Sequence, residues 1–194
     1  MEYIHEERNV LPKTFCRELI EKFESDSRKE EGKTNNGTVS KIKIRTDLNI
    51  EGITGWGVES NRLYDTFLTA FVDYQNNLKL NIFGEEKAHI VDQLFVGKNV
   101  VRNSLTFRKY QVGDYFKWHI DYVHSAYRIC NFIIYLNDHE ACTEFLNGKK
   151  IKPETGKIIF FPTTWVHAHC GQPVEKGNKY IITGFIFHVK ELTQ

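Results

Sequence analysis

Charge of one sign is what this sequence lacks most plainly: 26 Lys and Arg stand against 25 Asp and Glu, a formal net charge of +1. A chain dedicated to nucleic acid or to an anionic membrane surface carries a basic excess or a clear Lys/Arg cluster, so neither partner is expected. No stretch approaches the roughly 18 apolar residues that span a bilayer. The opening segment, Met1 to Val10, carries Glu2, Glu6, Glu7 and Arg8 where a secretory leader has an apolar run. Cysteine is sparse. Cys16, Cys130, Cys142 and Cys170 form no CxxC pair and no dense framework, and read as free thiols in a reducing compartment, which points to the cytoplasm. Internal repeats and an interdomain linker are missing as well, so the 194 residues read as one domain, 1–194. What is present, 41% hydrophobic and 13% aromatic residues, can bury a substantial core.

The texture divides the chain at about residue 97. Before it, two amphipathic helices are predicted. After Leu11-Pro12, the residues Cys16, Leu19, Ile20 and Phe23 fall at i, i+3, i+4 and i+7. The second helix begins near Ser60, a candidate N-cap, and puts Leu63, Phe67, Phe71, Tyr74 and Leu78 on one stripe. Between them the polar run Glu24 to Asn36 reads as a mobile loop, either plain solvated surface or a lid over substrate. Residues 1–97 are thus expected to be helical support plus this loop, and 98–190 a strand-rich core. In that core Leu105 and Phe107 alternate with Ser104, Thr106 and Arg108, while Ile129 to Leu136 is apolar on nearly both faces. Ile158 to Phe161 and Lys179 to Val189 are further strands, with turn residues such as Gly113-Asp114 and Asn147-Gly148 between them. Helices first and many short strands after predict an α+β chain with helices packed on an antiparallel sandwich or barrel.

The chemistry concentrates in Trp118-His119-Ile120-Asp121. On extended backbone, residues i and i+2 point the same way, so one imidazole and one carboxylate can reach one ion. A further histidine would complete a two-His-one-carboxylate triad with open positions for other ligands. Trp165-Val166-His167-Ala168-His169 offers two candidates, and both face one side if that segment is extended. Lys179 opens an apolar strand; alone it reads as an exposed strand end with its ammonium in water, and an inward position would require an anion. Cys170 and the flanking Trp118 and Trp165 read first as packing. His167 is either a solvated histidine or a group touching substrate or a metal ligand.

Six stretches, in order and spacing, carry a resemblance: Tyr110-Gln-Val-Gly-Asp-Tyr-Phe-Lys-Trp-His-Ile-Asp121, Tyr135-Leu-Asn-Asp138, Thr143-Glu-Phe145, Pro153-Glu-Thr-Gly156, His169-Cys-Gly-Gln-Pro-Val174 and Gly177-Asn-Lys-Tyr180. Over Tyr110 to Phe187 the chain resembles the prolyl 4-hydroxylase-type 2-oxoglutarate/iron(II) oxygenases. The resemblance implies a double-stranded β-helix (jelly roll) with N-terminal helices packed on one sheet. It implies Fe(2+), 2-oxoglutarate and O2 as cofactors, with ascorbate as a reductant, and hydroxylation of an unactivated C–H bond with release of succinate and CO2. The family's distal histidine lies four residues before a proline and ten before a basic residue. His169 meets both conditions through Pro173 and Lys179, and His167 meets neither, so the implied metal ligands are His119, Asp121 and His169. By the same pattern Lys179 pairs with the far carboxylate of 2-oxoglutarate, Tyr135 supports it, Tyr110 lies near the chelating end, and Arg128 precedes the Tyr-Leu-Asn strand. Arg128, His167 and Trp165 are the candidate substrate or supporting residues. The chain departs from the pattern in having Glu140-Ala141-Cys142 where Gly-Gly-Glu is common, and Phe185 where many members have Trp. The implied substrate is a prolyl residue of a peptide or protein. A small molecule, an alkylated nucleic-acid base, and a non-catalytic metal-binding module are the alternatives.

Overall fold

The computed structural model of the protein describes residues 3–32, 43–95, 100–101, 105–122 and 128–188. The amphipathic stripes predicted from the sequence become helices α1 (Lys13–Ser25) and α2 (Gly57–Asn77), followed by a π-helical turn, Leu78–Phe83, and the short α3 (Ala88–Leu94). Leu63, Phe67, Phe71, Tyr74 and Leu78 are all buried, as is most of the α1 stripe. Ser60 does not cap α2. The helix starts three residues earlier, and the buried Ser60 hydroxyl donates to the Ile50 carbonyl at 2.8 Å.

The strands before α2 are β1 (His5–Glu7), β2 (Glu30–Glu31), β3 (Lys43–Ile44) and β4 (Thr46–Asn49). Those after α3 are β5 (Val100–Val101), β6 (Thr106–Tyr110), β7 (Tyr115–His119), β8 (Arg128–Tyr135), β9 (Thr143–Phe145), β10 (Lys150–Ile151), β11 (Lys157–Pro162), β12 (His169–Gly171) and β13 (Lys179–His188). Two antiparallel sheets result. The major sheet runs β1-β11-β8-β13-β6-β4-β2, with β5 beside β13, and the minor sheet runs β10-β9-β12-β7-β3.

The expectation that 1–97 is only helix and loop therefore needs correcting. β1 closes one edge of the major sheet on β11, β4 and β2 extend its other edge beyond β6, and β3 joins the minor sheet on β7. These strands are two to four residues long and polar, too short for a period-2 signal to emerge from sequence. The run from Glu24 is also more ordered than a loop. The Glu24 carboxylate accepts from the Tyr180 hydroxyl at 2.5 Å and pairs with Lys109 at 2.7 Å, and Glu30–Glu31 form β2. Residues 33–36 of that run, and with them its reading as a lid, lie outside the described residues.

Alternation along the central strands gives the major sheet two different faces. Leu48, Phe107, Phe132, Ile134, Phe160 and Ile182 point to the helices. Phe23 of α1 stacks on Phe107 at 4.2 Å, and on α2 Phe67 meets Phe132 at 4.7 Å while Tyr74 lies parallel to Phe160 at 5.2 Å. Each such side chain contributes about 1.5–3 kcal/mol by leaving water. Tyr110, Ile133, Tyr135, Ile159, Phe161 and Ile181 point the other way and pack against Phe145 and Ile151 of the minor sheet. Gly156 seats the N-terminal segment on this framework. Its carbonyl accepts from Val10 N–H at 2.9 Å, its φ is +79°, and a Cβ there would stand 2.4 Å from the Leu11 carbonyl oxygen. No helix among the described residues is long and apolar enough to cross a membrane.

Candidate active site

The site lies between the sheets, where β7 ends and β12 begins. In that antiparallel pair His169 sits directly opposite His119, while Gly171 sits opposite Phe116. Three steps along β7 thus match two along β12, a bulge that re-aims side chains. Phe116 and His119, three apart, consequently share a side and stack at 3.5 Å with 15° between their planes. Asp121 follows just beyond the strand end, and Tyr122 N–H ties that segment to the Thr163 carbonyl at 3.0 Å.

His119, Asp121 and His169 are the residues the structure gathers as a possible metal site, with ligand atoms all within 4.8 Å of one another. Nε2 of His119 lies 3.6 Å from one Asp121 oxygen, and Nε2 of His169 lies 3.5 Å from the other. Both imidazoles are oriented through Nδ1. That of His119 is 2.8 Å from the Lys117 carbonyl and that of His169 is 3.1 Å from the His167 carbonyl. A carbonyl only accepts, so Nδ1 carries the hydrogen and Nε2 turns its lone pair to the cluster. Burial, and secondarily the facing His169, hold His119 down to about 3, so it stays neutral and able to bind a metal. Asn131 on β8 donates its amide N–H to the second Asp121 oxygen, fixing the carboxylate. Two imidazoles, each oriented through Nδ1, and one carboxylate held by Asn131 form a donor set that suits a divalent iron centre with open positions.

His167 departs from the extended geometry considered for it. Trp165–His167 form a 3-10 turn, so the His167 ring leaves the cluster and meets Tyr3 edge-on at 6.2 Å. The structure thus separates the two histidines that spacing alone left open. Trp118 and Trp165 are also not core: they are 50% and 73% exposed, forming with Ile120, Tyr122 and Val166 an apolar fringe on the segments that carry the ligands. Arg128 reaches the Asp121 backbone carbonyl at 3.4 Å with its guanidinium 3.9 Å over the Phe185 ring.

Lys179 reverses its reading as an exposed strand end. It is only 2% exposed and points between the sheets, where its ammonium donates to the Ala141 carbonyl at 3.2 Å and stands 4.9 Å from the Tyr110 ring. No carboxylate among the described residues pairs with it, and burial lowers its pKa to about 8. Tyr110 sits directly across from it on β6. Tyr135 is fully buried nearby, hydrogen-bonded through its hydroxyl to Thr143 at 2.8 Å. A buried ammonium beside Tyr110, with no carboxylate partner among the described residues, has the chemistry to receive a ligand carboxylate.

Sequence reading missed Arg45, Asp47, Arg108, Phe116, Asn131 and Thr143, which line the same space. Arg45 is where the chain passes from β3 in one sheet to β4 in the other. Its buried guanidinium grips Asp47 with two bonds, 2.6 and 2.9 Å, and lies 5.0 and 6.0 Å from the Phe116 and Tyr110 rings. An Arg-x-Asp pair leading into a short polar strand has no sequence signature to separate it from surface. A surface cleft of about 1680 Å³ lies to the side, against Phe116, Cys170 and Gly171, and touches none of the three clustered residues.

Comparison with known proteins agrees with this geometry. Residues 105–187 match the sequence profile of the 2OG-Fe(II) oxygenase superfamily. A PKHD-type hydroxylase from Synechococcus sp. is 28% identical over 116 residues, 51% of this chain and 51% of that protein. The chain therefore spans about half the length of the curated relative it matches. Among solved structures, a prolyl hydroxylase from Trichoplax adhaerens, in complex with a hypoxia inducible factor peptide fragment, superposes with a TM-score of 0.73 at 15% identity. That match covers 95% of this chain and 83% of the other. A prolyl-4-hydroxylase from Pseudomonas putida gives 0.63 at 14% identity, over 98% and 95% of the two chains. A viral collagen prolyl hydroxylase from Paramecium Bursaria Chlorella virus-1, as its 2OG complex, gives 0.62 at 19% identity over 97% of each. Residues 105–187 thus carry the profile of the 2OG-Fe(II) oxygenase superfamily, and His119, Asp121 and His169 supply a donor set that suits Fe(2+). The chain's architecture is that of the prolyl hydroxylases.

Proposed function

We propose that this protein hydroxylates a prolyl residue of a peptide or protein, converting 2-oxoglutarate to succinate and CO2. In this reading the two sheets are a double-stranded β-helix forming one catalytic unit with the N-terminal elements. His119, Asp121 and His169 hold the iron. The observation that supports this most directly is that His119, Asp121 and His169 are gathered together while the buried Lys179 ammonium has no carboxylate partner among the described residues. A 2-oxoglutarate molecule has the matching ends, a keto acid to chelate and a far carboxylate for Lys179, with Tyr135 and Tyr110 beside it. When bound, iron with this cosubstrate and O2 supplies the oxidising power to functionalise a C–H bond. The chain's own part is to orient both imidazoles through Nδ1, hold the Asp121 carboxylate through Asn131, and exclude water with the Phe116, Phe145 and Phe161 rings. The exposed Trp118 and Trp165, with Arg128 and His167 behind them, flank the mouth at which a peptide would lie.

The choice of a prolyl target is supported by the fold of the neighbours, one of them bound to a peptide. Two measurements test it. Anaerobic addition of Fe(II) and 2-oxoglutarate is expected to give a weak visible charge-transfer band, lost in His169→Ala and kept in His167→Ala. Incubation with proline-containing peptides in air is then expected to add sixteen mass units at proline. A band without any proline product would keep the cofactor assignment and discard the substrate.

A further inference from the structure

Burying a polar nitrogen or hydroxyl without a partner costs about 1–3 kcal/mol, so such orphans call for an explanation. Several of those in this chain collect on one face of the major sheet. Tyr110 faces the interior, and strand alternation puts Arg108, two residues before it on β6, on the same side while Phe107 faces the helices. The register sets Arg108 opposite Ile181 and Thr106 opposite Thr183, which makes Arg108 and Thr183 diagonal neighbours across β6 and β13. The Nε of Arg108 and the hydroxyl of Thr183 are both buried without a hydrogen-bond partner among the described residues.

Pairing in this corner is uneven: among the described residues the guanidiniums of Arg45 and Arg108 both approach Asp47, and Asp121 acts on Arg108 only through space. Asp47 gives its two oxygens to Arg45 at 2.6 and 2.9 Å, and stands 4.0 Å from Arg108 Nε, outside hydrogen-bond range. The Nη1 of Arg45 is itself buried and has no hydrogen-bond partner among the described residues. Arg108 is close enough to the metal cluster for its charge to act on both His119 and Asp121.

We infer that Arg108 and Thr183 form a substrate-carboxylate subsite, and that the oxygenase accepts substrates carrying a carboxylate near the carbon it hydroxylates. A guanidinium fork next to a free hydroxyl fits the planar two-oxygen geometry of a carboxylate. A nucleic-acid phosphate chain would need a basic stripe, which a net charge of +1 does not supply. Two sources present this carboxylate chemistry: an Asp or Glu side chain next to the target residue of a peptide, and the acid group of a small molecule. The inference rests on the oxygenase reading above and narrows its substrate class.

Matched probes separate these sources. One arm uses short peptides with a single proline flanked by Asp or Glu, each paired with its Asn or Gln twin. The other uses N-acetyl-L-proline and N-acetyl-L-prolinamide. Binding is measured by anaerobic calorimetry on protein loaded with Fe(II) and 2-oxoglutarate, and turnover by the sixteen-mass-unit gain. In wild type, the carboxylate member of at least one pair is expected to bind about 10- to 100-fold tighter than its amide twin. Arg108→Met should erase that preference, Arg108→Lys should restore part of it, and Thr183→Val should reduce it; circular dichroism checks that each variant is folded. If wild type shows the 2-oxoglutarate band yet prefers no carboxylate probe, the subsite proposal fails while the oxygenase reading stands. If Arg108→Met weakens 2-oxoglutarate itself by a similar factor, Arg108 serves the cosubstrate and the proposal is overturned. Absence of the band in wild type would instead strike the oxygenase reading.

Discussion

The two faces of the major sheet are made from alternate residues of the same strands, and they differ in almost every physical respect. On the helix side β8 presents Phe132 and Ile134 and β13 presents Ile182 and Ile186, all within one apolar cluster under α1 and α2. On the other side the same two strands present Asn131, Tyr135, Lys179 and Thr183, every one buried. The helix face is held chiefly by packing. Among the described residues, the inner face keeps an ammonium without a carboxylate, and the Thr183 hydroxyl and Asn131 side-chain oxygen without a hydrogen-bond partner. The contrast teaches where stability and chemistry are separately encoded: a period of two lets one strand carry both without compromise. A site left unsatisfied costs stability, which the aromatic layer on the reverse of the same strands offsets.

Substitutions on the two faces should therefore fail in different ways. The largest effect is expected from Asp121→Ala on the inner side, which on the proposed function removes the anionic ligand and should lower turnover on the order of 10³-fold, as several kcal/mol of metal-dependent stabilisation is lost. Thermal melting of the metal-free protein should hardly move, and a large drop in its melting temperature would contradict the division. On the helix side, Phe67→Ala opens a cavity against Phe132 and Phe160 and should cost about 3–5 kcal/mol of stability, a fall on the order of 10 °C by differential scanning calorimetry. The fraction still folded should bind 2-oxoglutarate with unchanged affinity.

Lys179→Met comes next. It should weaken 2-oxoglutarate about 10- to 100-fold by titration of the visible band, while the cosubstrate-free protein melts no lower, because an uncompensated buried charge has gone. The same lysine gives a pH signature. Burial lowers its pKa from 10.5 to about 8, so between those values the unfolded chain holds a proton that the folded chain has released. Stability without cosubstrate should then rise with pH over that window, while 2-oxoglutarate binding, which needs the ammonium, weakens towards tenfold per pH unit above about 8. Opposite trends from one group are hard to obtain if Lys179 is merely structural. The smallest effect is expected at the rim: Trp165→Ala should leave stability within about 0.5 kcal/mol and cosubstrate affinity unchanged, yet raise KM for a peptide substrate severalfold.

The helix face was the easier half to read from sequence. Long apolar stripes such as Leu63 to Leu78 and runs such as Ile129 to Leu136 declare their partners through period and length, and the structure buries them as the pattern predicts. The inner face was legible only where residues sit at fixed spacing in one segment, as with His119 and Asp121. Lys179 could not be placed without its fold, since a lysine at the end of an apolar strand looks the same whether it faces solvent or a cavity. Arg45 and Arg108 were missed for the same reason: what sets them apart is the register of β4, β6 and β13, a long-range property. The 3-10 turn that swings His167 away from His169, and the exposure of Trp118 and Trp165, are likewise set by tertiary contacts rather than local pattern.

The placement of Arg45 at the crossing between sheets has a consequence for how the oxygenase segment can be handled. The stretch that carries the family resemblance starts after that crossing, so cutting the chain there would leave β6, β7 and β11 without the neighbours β4, β3 and β1. Three raw strand edges and an uncovered aromatic face would invite chain-to-chain pairing before any cosubstrate could bind. The segment that matches the family profile is thus not a portable module. Its borders in sequence are narrower than its borders in space, and the residue that stitches the two sheets together lies outside the one and inside the other.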